Sequence, residues 1–147
     1  MTNYRCFLTA LALIICLPIA RAEHHEKEEE KTPLGEEMSA INKAWRQIKK
    51  QAEDVSQNEE TLKLLDQVIE NCKTAVDMVP ILSEEVSEDK RPAFIEAYKK
   101  EMMKLDKQFE SLRSALEAGE NGKAQELIKK IDDFKKKGHK DYKPEDD

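Results

Sequence analysis

The stretch Pro92–Leu116, PAFIEAYKKEMMKLDKQFESLRSAL, decides the fold. Ile95, Tyr98, Met102, Leu105, Phe109, Leu112 and Leu116 recur in alternating steps of three and four, which winds them into one apolar stripe on a helix of 3.6-residue period. Pro92 suits the first helical position, where no amide donor is needed. Gly119 is a natural stop, and Gly119-Glu120-Asn121-Gly122 reads as a tight turn between antiparallel helices. An amphipathic helix of about 20 residues is only marginally stable alone in water, so the stripe needs neighbours.

Those neighbours are present on both sides. Upstream, Thr32-Pro33 opens a helix whose stripe is Leu34, Met38, Ile41, Trp45, Ile48, Ala52 and Val55. Ser56 with Glu59 forms a capping box for a second helix, with stripe Leu62, Leu65, Ile69, Cys72, Val76 and Val79 and a stop at Pro80. Residues 81–91 make the longest connection, from which Ile81, Leu82 and Val86 fold over an end of the bundle. Downstream, a fourth helix carries Ala124, Leu127, Ile128, Ile131 and Phe134 and ends near Gly138, His139 and Tyr142. Four stripes with two short links and one longer one specify an all-α, antiparallel up-down-up-down four-helix bundle over residues 32–143, with 144–147 as a tail.

Composition agrees. The chain has 147 residues, enough for one domain, and its 38% charged residues with only four glycines favour helix over strand. Residues 1–22 read as a signal peptide: Arg5, the apolar run Cys6–Ala20 and the small-x-small site Ala20-Arg21-Ala22. The run is short for a bilayer span, and Ile14-Ile15 before Cys16 suits lipoprotein processing poorly, so a soluble periplasmic protein without a membrane anchor is expected. Loss of Arg5 and Arg21 takes the net charge from −6 to −8, which argues against nucleic acid as a partner. Cys6 and Cys16 leave with the leader, so Cys72 is expected alone, as a small buried hydrophobe.

Residues 23–31 form an acidic arm without an apolar residue, expected to be disordered. If cleavage follows Ala22, the terminus Glu23-His24-His25 places a histidine third from a free amine, an arrangement that can wrap Cu(II) or Ni(II) in a plane of nitrogens. A solvated polar tail is the plainer reading.

The chemistry concentrates at one end of the bundle. An even number of antiparallel passes returns the chain to its starting face, so Met38, about 7 Å into helix one, and His139 near the end of helix four lie level. His139 falls about 20° from Ile128 on the helical wheel and is expected to face inward. A thioether and an imidazole across a slot form an axial pair that ligates haem iron in electron carriers, leaving no vacant position for substrate. Without a Cys-x-x-Cys-His sequence, such a haem is b-type and non-covalent, one per chain. Leu34, Ile41, Tyr98, Met102, Phe94 and Val76 offer apolar walls, and Gly138 offers space for a flat ligand. Lys135 sits in the apolar arc of helix four, where a buried ammonium needs an anion such as a haem propionate or must snorkel outward. Taken singly, Met38 reads as core filling and His139 as a residue favoured by the helix dipole.

In these features the chain resembles the soluble periplasmic cytochrome b562 family. The resemblance covers Leu34 to Tyr142 and rests on Leu34-Gly-Glu-Glu-Met38-Ser-Ala-Ile41, on Glu117-Ala-Gly119 followed by Lys123-Ala-Gln125, and on His139-Lys-Asp-Tyr142. It implies that Met38 and His139 ligate haem b, with Tyr98 and Met102 where the better-known member has phenylalanines. The expected function is one-electron transfer with an unnamed redox partner protein, by a monomer that is not an enzyme. The competing expectation is a haem-free periplasmic helical bundle acting as an interaction or stress protein.

Overall fold

The computed structural model describes residues 32–143, which form four helices: α1 (Pro33–Gln51), α2 (Asn58–Val76), α3 (Arg91–Glu117) and α4 (Asn121–Tyr142). Short 3-10 turns at Val55–Gln57 and Ile81–Glu84 lie in the first two connections. The described residues contain no strand, and the architecture is the expected all-α four-helix bundle. The leader, the acidic arm and its Glu23-His24-His25 terminus, and the tail at 144–147 lie outside the described residues.

Local chemistry sets the helix ends. Thr32 caps α1 by accepting the Gly35 amide at 3.0 Å, with Pro33 next to it. Gly119 takes φ +70° in the α3–α4 turn, a left-handed conformation that a side chain would disfavour. The capping box expected at Ser56 and Glu59 is not formed. Instead, the Asp54 carboxylate accepts both the amide and the hydroxyl of Ser56, at 2.9 and 2.7 Å, and α2 begins at Asn58 without a side-chain cap. Asp54 wins because its carboxylate reaches two donors two residues ahead, the local turn that aspartate favours.

The stripes meet in one core containing Ile41, Trp45, Ile48, Leu65, Ile69 and Phe109. Trp45 and Phe109 touch edge-to-face across it, ring centroids 5.5 Å apart, so α1 and α3 are coupled through the middle. Two stripe positions fail. Val55 and Val79 are 60% and 53% exposed, because α1 ends at Gln51 and α2 at Val76, before either valine can follow the helical period inward. Ile95, in the first turns of α3, is half-buried.

The two ends of the bundle are built differently. At the end holding the α1–α2 and α3–α4 turns, Asn121 donates to the Ala52 carbonyl at 2.9 Å and to Asn58 at 2.8 Å, and Asn58 donates to the Leu116 carbonyl at 2.9 Å. This clasp ties all four chain passes together. The opposite end holds the start of α1 and the last turns of α4, where Met38 and His139 lie. Backbones approach closely between α1 and α2, α2 and α3, and α3 and α4, whereas α1 and α4 meet through side chains.

Candidate haem-binding site

The α1/α4 seam is a polar ladder laid on the core. Trp45, 2% exposed, donates its indole N–H to Asp132 Oδ1 at 2.7 Å, and Lys49 reaches Oδ2 of the same carboxylate at 3.0 Å. Burial pushes the Asp132 carboxyl up. The Trp45 and Lys49 hydrogen bonds and the charges of Lys49 and Lys135 outweigh that effect and leave it below its ordinary value. One turn on, Lys135 Nζ donates to Asn42 Oδ1 at 2.7 Å and sits 5.5 Å from the centre of the Trp45 ring.

Lys135 therefore neither snorkels into solvent nor waits for an external anion. Its ammonium is met by an amide oxygen, a ring face and the nearby Asp132 charge. Burial still lowers its pKa to about 8; Asp132 acts against this shift, and Lys49 and Arg46 add to it.

These contacts fix the register. Moving from Trp45 to Asn42 on α1 matches moving from Asp132 to Lys135 on α4, three residues in each case. Four more residues along both helices reach Met38 and His139, which continue the same antiparallel register. Met38 is half-buried and packs against the core, as does Leu34; Ile41 is buried beneath them. His139 differs from expectation. It is exposed rather than turned inward. The inner side of α4 at this level is taken by its neighbours: Lys135 reaches α1, and Tyr142 packs towards α3, its ring 5.3 Å from Phe94 and 5.4 Å from Tyr98.

Tyr98 is buried and donates its hydroxyl to the Ala75 carbonyl at 3.0 Å, with burial pushing the phenol pKa up. Met102, also buried, lies one turn further along α3. Of the candidate residues, Lys135 is brought to Asn42 of α1 and Tyr98 to Tyr142 of α4, while Leu34 and Met38 pack against the core from the first turns of α1. Gly138 is not a forced glycine, since a Cβ there meets nothing within 4 Å; the space beside His139 is open. Cys72 is buried, and burial raises its thiol to about 12, which makes it inert packing. A shallow hollow of about 620 Å³ between Glu88 and Lys99 contains none of the candidate residues.

Sequence reasoning missed Asn42 and Asp132. The signal was available in Trp45: a buried indole N–H needs an acceptor, and one on a facing helix is the natural source.

A sequence model of the cytochrome b562 family matches residues 33–143. The chain belongs to the cytochrome b562 family. The match spans the whole bundle from the start of α1 to the residue after α4, and so includes both Met38 and His139. No curated protein and no solved structure matches the chain. Cytochromes b562 are haem-binding electron carriers rather than enzymes, and are typically periplasmic.

The chain carries donors of the right chemistry for a haem: the Met38 thioether on α1 and the His139 imidazole on α4, helices that meet mainly through side chains. Among the described residues, no other histidine or exposed thiolate competes for iron, and no cluster of His, Cys, Asp and Glu forms a metal site.

Proposed function

We propose that this chain is a periplasmic one-electron carrier that would hold a single non-covalent haem b between α1 and α4, through Met38 and His139. The observation that carries the reading is the register: the Trp45–Asp132 and Asn42–Lys135 contacts, extended by one turn, put Met38 and His139 at the same height. Haem b, when bound, supplies a metal centre that gains and loses one electron.

The protein supplies ligands, orientation and exclusion of water. Two protein ligands leave no open position for oxygen or substrate, which favours electron transfer over catalysis. Leu34 and Ile41 present apolar side chains along α1, while Tyr98 and Met102 support the same end from α3. Tyr142 is a positioning residue. Through Phe94 and Tyr98 it anchors the last turn of α4 and so holds the helix that carries His139. Lys135, one turn below His139, holds its cation in the α1/α4 seam, hydrogen-bonded to Asn42 and near the Asp132 charge.

Periplasmic location is supported by the family and by the leader pattern in residues 1–22. Monomeric behaviour and a protein redox partner belong to the same proposal.

Titrating haem into the purified protein tests it. The expected result is a one-to-one complex with a six-coordinate low-spin visible spectrum in the reduced state. His139→Ala and Met38→Ala should each give a different, weaker-binding spectrum. A protein that leaves the haem spectrum unchanged, or whose spectrum is indifferent to both substitutions, would support the haem-free bundle instead.

A further inference from the structure

Helices α1 and α4 carry charge of opposite sign to the rest of the chain. Together they hold eleven lysines and arginines against six acids, a net of +5, whereas α2 and α3 together hold eight against nine, a net of −1. The excess gathers on one flank. Asp132, about 40° round the α4 wheel from Ile128, marks the side turned to α1. Lys136, Lys129 and Lys140 follow at about 80°, 100° and 120° in the same sense, and all three are exposed. From α1, Lys49 bonds to Asp132, and Arg46 lies near enough for its charge to act on Lys135.

The exposed lysines of α4 on this flank meet few acids. Asp132 is occupied by Trp45 and Lys49, which leaves Asp133 on that arc of α4. Lys129, Lys136 and Lys140 form no ion pair among the described residues. On α2 and α3, by contrast, Lys63, Lys73, Lys99, Lys100 and Lys104 are each paired with a carboxylate, Lys107 being the exception.

We propose that this exposed flank of the α1/α4 seam is the docking face for an acidic electron-transfer protein. As a route to the haem it rests on the function proposed above, but the surface itself belongs to the haem-free chain as well. The charge asymmetry aims the positive side of the molecule, and with it His139, at an oncoming negative patch, which raises the encounter rate without demanding a large interface. Among the described residues, the large exposed apolar side chains, Val55, Val79 and Met103, all lie outside α1 and α4, so the face has the polar character of a brief encounter. A compact acidic patch fits better than an extended polyanion. A nucleic-acid duplex or an anionic bilayer would reach past this flank to the acids of the connections, of which residues 77–90 alone carry a net of −4.

The test titrates the isotope-labelled full-length protein, with and without haem, with flavodoxin, a compact acidic electron carrier, and follows amide shifts. The expected perturbations fall on residues 42–50 and 129–143 in both forms, and affinity drops about tenfold or more between low salt and roughly 0.3 M salt. The triple variant Lys129→Glu, Lys136→Glu, Lys140→Glu should weaken binding at least about tenfold with an unchanged circular dichroism spectrum. Glutamine at the three positions serves if the reversal does not fold. The proposal is overturned by perturbations centred on α2 and α3, by absence of binding, by indifference to the substitutions, or by tighter binding of phosphatidylglycerol vesicles to the same face. If haem fails to bind while the haem-free titration behaves as expected, the docking face stands and only the haem assignment falls.

Discussion

Replacing Asp132 with alanine should remove the strongest link across the α1/α4 seam. The substitution strands the Trp45 indole N–H, on a side chain 2% exposed, at a cost of about 1–3 kcal/mol for a buried donor without an acceptor. It also breaks the Lys49 pair, whose two side chains are 39% and 40% exposed, and solvent screening limits that contribution to about 0–1 kcal/mol. The expected total is about 1–4 kcal/mol. With a urea dependence of about 1.5 kcal/mol/M, the unfolding midpoint falls by roughly 1–3 M. Trp45 is the sole tryptophan, so its fluorescence reports unfolding and the local change together. Two controls divide the effect. Lys49→Ala should cost less than about 1 kcal/mol, and Asp132→Asn, which keeps an acceptor for the indole, should cost less than Asp132→Ala. The pH dependence has a definite sign. The folded-state pKa of Asp132 is depressed, so its stabilisation is present above the ordinary carboxylate pKa, about 3.9, and is lost as pH falls through the folded value. The gap between wild type and Asp132→Ala should therefore narrow in acid, to the part that the protonated carboxyl retains as an acceptor. A cost below about 0.5 kcal/mol for Asp132→Ala, or an equal cost for Lys49→Ala, would refute the reasoning, because the indole bond would then not be what holds the seam.

Lys135 has a depressed pKa, so folded protein releases its proton at about pH 8 while the unfolded chain keeps it to about 10.4; stability should rise with pH across that window. Urea midpoints at pH 7.5 and 9.5 should show the rise in wild type and lose this component in Lys135→Met. Asn121→Ala should cost about 1–3 kcal/mol, since it leaves the Ala52 carbonyl without its donor and breaks the Asn58 pair; a neutral result in chemical denaturation contradicts the clasp. Gly119→Ala should cost about 1 kcal/mol through the left-handed backbone alone, seen as a lower thermal midpoint without a change in helicity.

The architecture was legible because spacing alone carries it. Seven apolar positions between Ile95 and Leu116 cannot be satisfied by anything but a long helix, and six of the seven are buried. Chain parity likewise brought Met38 and His139 to one end without knowledge of any contact. What spacing could not show was where a helix stops. Val55 and Val79 continue their stripes in sequence, yet the backbone leaves the helix first, and a local competitor, the Asp54 turn, displaced the capping box at Ser56. Lys135 read as a charge in need of a partner, but the partners, Asn42 and the Trp45 face, lie on a helix 93 and 90 residues away in the chain, and only the register between α1 and α4 identifies them. The exposure of His139 was hidden for the same reason. The wheel gives a side chain's direction on its own helix, not how Lys135 and Tyr142 divide the space on either side of it.

The most direct measurement of the central claim is the proton NMR spectrum of the haem-loaded, reduced protein. An axial methionine lies in the shielding cone of the porphyrin ring, so the Met38 methyl should appear as a three-proton resonance far upfield of the envelope and vanish in Met38→Ala. Loss of the same resonance in His139→Ala would mark disruption of the pair from the other face. A haem complex with no such signal, or one whose signal survives both substitutions, contradicts ligation by Met38 and His139.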